Sequence, residues 1–240
     1  MSDTPESELA WGTLGSPVGQ LSVACSAAGL AQVCFGPPPA QAIRAARRPY
    51  AGSSGRKHRQ DERDHAEDRG YAGEERRQAA ARARAGEASA QPEGTDGGPA
   101  AAHRQLGRAC TQLGEYFDGQ RRAFDLPVDW SGMSAAQRQV LAVLLASAAY
   151  GETVTYGALA RRAGLADGGQ VPAARVTGQI MGSNPCPVIV PCHRVVAGDG
   201  LGGYSGGAGI EIKRWLLIFE GALPPTLDWD PAGPPGPGTG

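Results

Sequence analysis

The chain has 240 residues, room for one or two domains, and ordinary apolar content for a globular protein, so a sizeable core can form. Its formal net charge of −1 excludes a basic nucleic-acid wrapper driven by bulk charge, so any contact with DNA must be local. Five cysteines at irregular positions form neither a CxxC pair nor a zinc-finger spacing, which suits free thiols in a reducing compartment.

The first residues are polar and acidic, without the apolar stretch of a secretory signal. The longest apolar run, Val140 to Ala149, is too short to span a bilayer. Residues 8–36 read as a small antiparallel β unit with strand-like runs at Leu21–Cys25 and Leu30–Phe35. From 37 to 102 large apolar side chains nearly vanish, and such a stretch cannot bury enough surface to offset its ordering entropy. A disordered insertion is the expectation there, and a solvated Arg/Glu helix is the alternative. Three of the four histidines, His58, His65 and His103, fall in or beside it and are assigned no chemistry.

Leu106, Leu113, Tyr116 and Phe117 have helical spacing, with a stop at Asp118-Gly119. After an extended piece, Phe124 to Val128, Ser134 can cap a helix carrying Val140, Leu141, Leu144 and Leu145. Thr155 can cap a short helix from Tyr156 to Ala163, stopped by Gly164. A glycine-rich turn leads to Pro172 and a second helix, Ala173 to Met181. The two form either a helix-turn-helix with a long turn or a pair of ordinary packed helices. Val188 to Val190 reads as a buried strand-like segment running into Pro191-Cys192-His193-Arg194-Val195-Val196. A glycine-rich loop, 198–207, precedes a last amphipathic helix from Ile210 to Phe219, and a proline-rich tail, 224–240, is expected to be disordered.

Two readings of Cys192 stay open on chemistry alone: an activated thiol beside a histidine, or a packed core cysteine. Adjacent residues of a strand point to opposite faces, so Cys192 and His193 cooperate only if the backbone turns or a water bridges them. The Gly198-Asp-Gly-Leu-Gly-Gly loop lacks the strand and helix of a phosphate-binding unit and reads as a pocket wall.

The hexapeptide at 191–196 resembles the active-site signature of the O6-alkylguanine-DNA alkyltransferase (methylated-DNA–protein-cysteine methyltransferase) family. Thr155-Tyr156-Gly-Ala-Leu-Ala, Ala174-Arg175 and Asn184-Pro185 come before it in the family's order. Gly203-Tyr204-Ser205-Gly-Gly, Lys213, Trp215-Leu-Leu and Glu220-Gly221 follow it. Residues 126–222 resemble the family closely and 8–36 more loosely.

The resemblance implies an α/β (α+β) fold. An N-terminal ribonuclease-H-like domain (1–125, with the insertion) precedes a C-terminal winged helix-turn-helix domain (126–223). It implies Cys192 as the alkyl acceptor, His193 acting through a water as its base, and Glu220 as the orienter of His193. Tyr156 would press on a DNA phosphate and donate to the leaving base, with Lys213 in the same catalytic set. Arg175 would fill the gap left by a flipped nucleotide, with Ala174 beside it on the DNA. Val195 through its carbonyl, Ser205 through its amide, and Tyr204, Met181 and Pro187 as walls would form the pocket, with Asn184 as a structural tie.

The activity implied is direct-reversal repair: an alkyl group leaves O6 of a flipped guanine for Cys192, once per protein molecule. The partner is alkylated duplex DNA approached from the minor groove by a monomer. No metal, no cofactor, no small-molecule methyl donor and no membrane are expected, and the location expected is the cytoplasm, on the nucleoid when acting. Competing readings are a damage-binding protein that does not transfer, a helix-turn-helix regulator with a sensor cysteine, and a thiol hydrolase. Residues 127–221 hold seven Lys/Arg against six Asp/Glu, so weak, salt-sensitive DNA binding is expected. Tyr156 and Arg175 stand nineteen positions apart, a longer turn than is usual in the family.

Overall fold

The computed structural model describes residues 9–39, 98–165, 171–204, 209–227 and 229–234. Most of the expected insertion, the turn residues 166–170, Ser205 and the end of the tail lie outside them.

Three antiparallel strands, β1 (Ala10–Ser16), β2 (Gly19–Ser26) and β3 (Gly29–Phe35), form a meander in the order β1-β2-β3. Leu21 and Val23 on β2 are fully buried, under helix α1 (Pro99–Phe117). Pro99 suits the first turn of α1, where its missing N–H is not needed. Ala102, Leu106, Ala109, Leu113 and Tyr116 then recur at helical spacing on the buried face. Each large side chain of that face contributes about 1.5–3 kcal/mol of burial. Close approach of α1 to the sheet depends on Gly12, where a Cβ would sit 3.2 Å from Leu106 Cδ2. Since α1 begins at Pro99 and buries Ala102, the composition break ends at 98, four residues before the limit expected.

The extended piece after α1 is held at both ends. Gln112 on α1 donates to Asp125 O at 3.0 Å and accepts from Asp125 N at 2.8 Å. Further on, Leu30 N donates to Pro127 O and Asp129 N to Leu30 O, each at 2.8 Å. These bonds place residues 127–129 against β3 rather than with the helices that follow.

Helix α2 (Ala135–Ser147) starts in a full capping box between Ser134 and Gln137. Strand β4 (Val154–Thr155) pairs in parallel with β5 (Val195–Val196), and Thr155 caps α3 (Tyr156–Arg162) by accepting from Ala158 N. Helix α4 (Ala173–Gly182) packs on α3, and α5 (Ile210–Phe219) buries Trp215, Leu216 and Leu217. One apolar cluster runs from β2 through α1 and α2 to α5. Among the described residues no helix is long and apolar enough to cross a membrane.

Two further expectations are corrected. Val188 to Val190 is a turn, not a strand: Val188 adopts φ 72°, and Val190 N closes on Cys186 O at 2.8 Å. The tail is also engaged, since Trp229 stacks on Trp215 at 6.4 Å and Trp215 Nε1 donates to Asp230 O at 2.7 Å.

Candidate functional site

Cys192 opens a 3-10 turn, Cys192–Arg194, directly after the 184–190 turn. The backbone therefore bends where a strand would have sent Cys192 and His193 to opposite faces. Asn184 ties the approach: its Nδ2 donates to Val190 O at 2.8 Å, and its Oδ1 accepts from Cys186 N at 3.0 Å. A β-branched residue at positive φ costs about 1–3 kcal/mol. The two Asn184 bonds and the buried Val188 side chain hold that strain in place. The sheet braces the same turn, because Val33 N on β3 donates to Pro185 O at 2.8 Å.

Two cavities meet at Cys192. The larger, about 910 Å³, is bordered by Tyr156, Ala174, Arg175, Met181, Gly203 and Tyr204. The smaller, about 270 Å³, lies toward β3 and is bordered by Gln32, Cys34, Phe35, Met181, Pro187 and Tyr204. Arg175 is exposed on the rim of the larger one. Val195 lines neither: its side chain is buried, and its carbonyl accepts from Lys213 Nζ at 2.6 Å. Ser205 lies outside the described residues.

Burial pushes the Cys192 thiol up, while Asn184, Tyr204 and the Lys213 charge pull it part of the way back. The resting group is therefore a neutral thiol with thiolate-stabilising neighbours already in place. The Tyr204 hydroxyl has no partner in ordinary hydrogen-bond geometry among the described residues, yet burial and the nearby Cys192 raise it well above the usual phenol range. Lys213 is fully buried; desolvation lowers it to about 8, against the pull of Cys192. Its ammonium also donates to Gly203 O at 3.1 Å, fixing the loop that covers Tyr156.

The Tyr156 ring is wedged between α4 and that loop. A Cβ on Gly202 would come within 2.8 Å of Tyr156 Cε2, and Gly202 has φ +69°, so only glycine suits the position. The Tyr156 hydroxyl donates to Gly203 O at 3.2 Å, and Lys213 Nζ lies 5.7 Å from the ring centre.

Behind the turn lies a buried polar knot. His193 is fully buried, and its Nε2 donates to Glu220 Oε1 at 3.0 Å, which leaves Nδ1 as the acceptor nitrogen. Desolvation lowers His193 and outweighs the opposing pull of Glu220, so the ring rests neutral. Glu220, the residue at which α5 ends, resists burial's upward push because His193 and Arg194 together hold its carboxyl far below the usual range.

Two members of this knot escaped the sequence reading. Arg194 grips Glu220 with Nε to Oε2 and Nη2 to Oε1, both at 2.8 Å, and donates from Nη1 to Ala148 O at 2.7 Å. Tyr116, on α1, donates from its hydroxyl to Glu220 Oε1 at 2.7 Å. The signal was chemical: a buried carboxylate has more lone pairs than one histidine can satisfy.

Fold and site together define a class: a mixed α/β protein whose buried thiol faces a cavity and backs onto a histidine–carboxylate–arginine cluster. Residues 135–222 match the model of the 6-O-methylguanine DNA methyltransferase, DNA binding domain. The methylated-DNA–protein-cysteine methyltransferase of Methanopyrus kandleri is 42% identical over 127 residues, 52% of this chain and 88% of the relative. The protein of the same name from Mus musculus is 40% identical over 140 residues, 56% of this chain and 64% of the relative. The chain thus spans just under two thirds of the mouse protein's length. A structure of Mycobacterium tuberculosis OGT in complex with DNA shares the fold, with a TM-score of 0.55 and 24% identity over 94% of this chain and 95% of that one. The chain belongs to the methylated-DNA–protein-cysteine methyltransferase family.

Proposed function

We propose that this protein reverses O6-alkylguanine damage in duplex DNA by moving the alkyl group to Cys192, once per molecule. The observation that carries the reading is the position of Cys192. It borders both cavities and directly precedes His193, whose Nε2 donates to the buried Glu220.

The damaged base flips into the larger cavity, because a thiol cannot reach O6 inside the stack. The exposed Arg175 enters the gap from the minor-groove side, with Ala174 against the backbone. His193 Nδ1 takes the thiol proton through a bridging water. Sulfur then bonds the alkyl carbon as the bond from that carbon to O6 breaks. Guanine leaves with the electron pair and recovers a proton from the Tyr156 side, whose hydroxyl returns to neutral from the proton held on His193. Thiol and alkylguanine become thioether and guanine, so the balance closes without a separate methyl donor. Lys213 favours the thiolate by its charge, the Ser205 amide and the Tyr204 and Met181 walls hold the base, and Pro187 walls the adjoining smaller cavity.

The same reading assigns a ribonuclease-H-like N-terminal domain, a winged helix-turn-helix for α3, α4 and the β5 loop, and a monomer acting in the cytoplasm.

Intact and peptide mass spectra after incubation with O6-methylguanine DNA test the proposal. One methyl group per chain on the Cys192 peptide, and none in Cys192→Ala, is the expected result. Repeated turnover without an adduct would replace it with a thiol hydrolase. Normal DNA binding without an adduct would leave a protein that binds damage and does not transfer.

A further inference from the structure

We propose that Tyr116 is a positioning residue for the Glu220–His193 pair, so that α1, far away in sequence, is part of the acceptor's proton path. Its activity readout rests on the repair reading above; its titration readout does not.

Glu220 Oε1 accepts from three donors: His193 Nε2 at 3.0 Å, Arg194 Nη2 at 2.8 Å and the Tyr116 hydroxyl at 2.7 Å. The shortest of the three comes from 104 positions away. Tyr116 is fully buried, and its ring packs against Phe117, Phe124, Tyr150 and Phe219 with centroids 5.0 to 6.2 Å apart. Phenylalanine would fill that aromatic nest equally well. The hydroxyl is the part that packing does not explain, and it is aimed at the carboxylate that orients His193.

Its chemistry differs from that of the other two donors. Arg194 supplies a fixed positive charge, and His193 is the group that must exchange a proton. Tyr116 is a neutral donor held well above the phenol range by burial and by Glu220, so it keeps its proton throughout the working pH range. By taking up part of the charge on Oε1, it weakens the pull of that oxygen on His193. The imidazole then stays neutral at rest, with Nδ1 free to receive a proton. Among the described residues, the groups facing this pair are Arg194, Tyr116, Tyr150 and Tyr204 around Glu220, and Arg194 and Lys213 around His193.

The test uses the full chain with Tyr116→Phe and, for comparison, Tyr150→Phe, whose hydroxyl donates to Phe219 O instead. His193 is titrated by NMR through its imidazole carbons, and transfer from O6-benzylguanine is timed against pH. Tyr116→Phe should raise the His193 titration by about half a unit and move the acid limb of the rate profile up equally, a roughly threefold slowing on that limb. Tyr150→Phe should move neither. A stronger donor at the same place, 3-fluorotyrosine at position 116, should shift the titration downward. This arm keeps the packing if the phenylalanine variant fails to fold. Lower stability with an unmoved titration and limb would reduce Tyr116 to packing and overturn the proposal. If the wild type makes no adduct, the repair reading falls, and the His193 titration still decides the role of Tyr116.

Discussion

Behind Cys192, Glu220 is bonded by His193, Arg194 and Tyr116, and all four side chains are buried. In front of it, Tyr156, Ala174 and Arg175 border an open cavity of about 910 Å³, and Arg175 is exposed. The rear region is over-determined: Glu220 accepts four hydrogen bonds, and removing any donor leaves charge or hydrogen-bonding capacity stranded in low dielectric. The front region is less tightly bonded: Tyr156 is held by packing, with a hydroxyl bond to Gly203 O at 3.2 Å, and Arg175 is exposed. Chemistry that must be aligned before a substrate arrives is built into the core. The grip on a substrate that has to enter and leave is kept at the surface.

The sharpest way to break this comparison is Glu220→Gln. It leaves the buried Arg194 without a counter-charge and turns one acceptor oxygen of the knot into an N–H donor, so a loss of about 3–5 kcal/mol is expected, together with loss of alkyl transfer. Urea unfolding and adduct formation read the two effects. A variant as stable as the wild type would show that the knot is not over-determined.

Protonation provides a gentler route to the same end. His193 is held below its ordinary 6.5, so the unfolded chain takes up a proton first, and stability should fall as pH drops below about 6.5. Glu220 is also depressed: its contribution is complete above its ordinary 4.5 and is lost as pH falls below that. The unfolding free energy should therefore decline through two steps on acidification, and Glu220→Gln should erase the lower one. Lys213 acts on the alkaline side. With a folded value near 8 against an ordinary 10.5, the unfolded chain binds more protons at Lys213 between them, so this group's contribution rises with pH across that window. The buried thiols of Cys25, Cys186 and Cys192, raised above their ordinary 9.0, contribute the opposite sign above about pH 9, so the net rise should be confined to about pH 8–9.

Asn184→Ala attacks the boundary between the two regions. It removes both bonds that hold the turn before Cys192, at an expected cost of about 1–2 kcal/mol, and it takes away a group that favours the thiolate. Iodoacetamide labelling of Cys192 should slow along with the loss of stability. Unchanged labelling would separate the turn from the thiol.

How far each region could be read from the sequence follows its physics. Local signals sufficed where local energies decide. Ser134 with Gln137 and Thr155 before α3 are capping arrangements written in a few adjacent residues, and α5 runs from Ile210 to Phe219 as its apolar spacing predicts. Strand β1 was hidden because Gly12 and Gly15 dilute its alternation, and Gly12 is there to admit Leu106. Val188-Ile-Val has strand propensity, and the flanking prolines and the Asn184 bonds override it. In the site, the chemistry-bearing residues stood in recognisable order, but the bonds of Arg194 and Tyr116 to Glu220 span 26 and 104 positions. No periodicity records a pairing at that range.

The smallest stability effect belongs to the front region, and it decides whether the contrast between the regions is real. Arg175 is exposed at the first turn of α4, so Arg175→Ala should change the unfolding free energy by less than about 0.5 kcal/mol. It should still slow repair of O6-methylguanine in duplex DNA by at least about tenfold, because an extruded base leaves unstacking to be compensated by an inserted side chain. Reaction with free O6-benzylguanine needs no extrusion and should keep its wild-type rate. The ratio of the two rates is therefore the diagnostic quantity, and DNA with the lesion in an unpaired bulge should recover most of the loss. Equal slowing on duplex and free base would place Arg175 in the chemistry instead. The division between a rigid rear and a yielding front would then no longer describe the molecule.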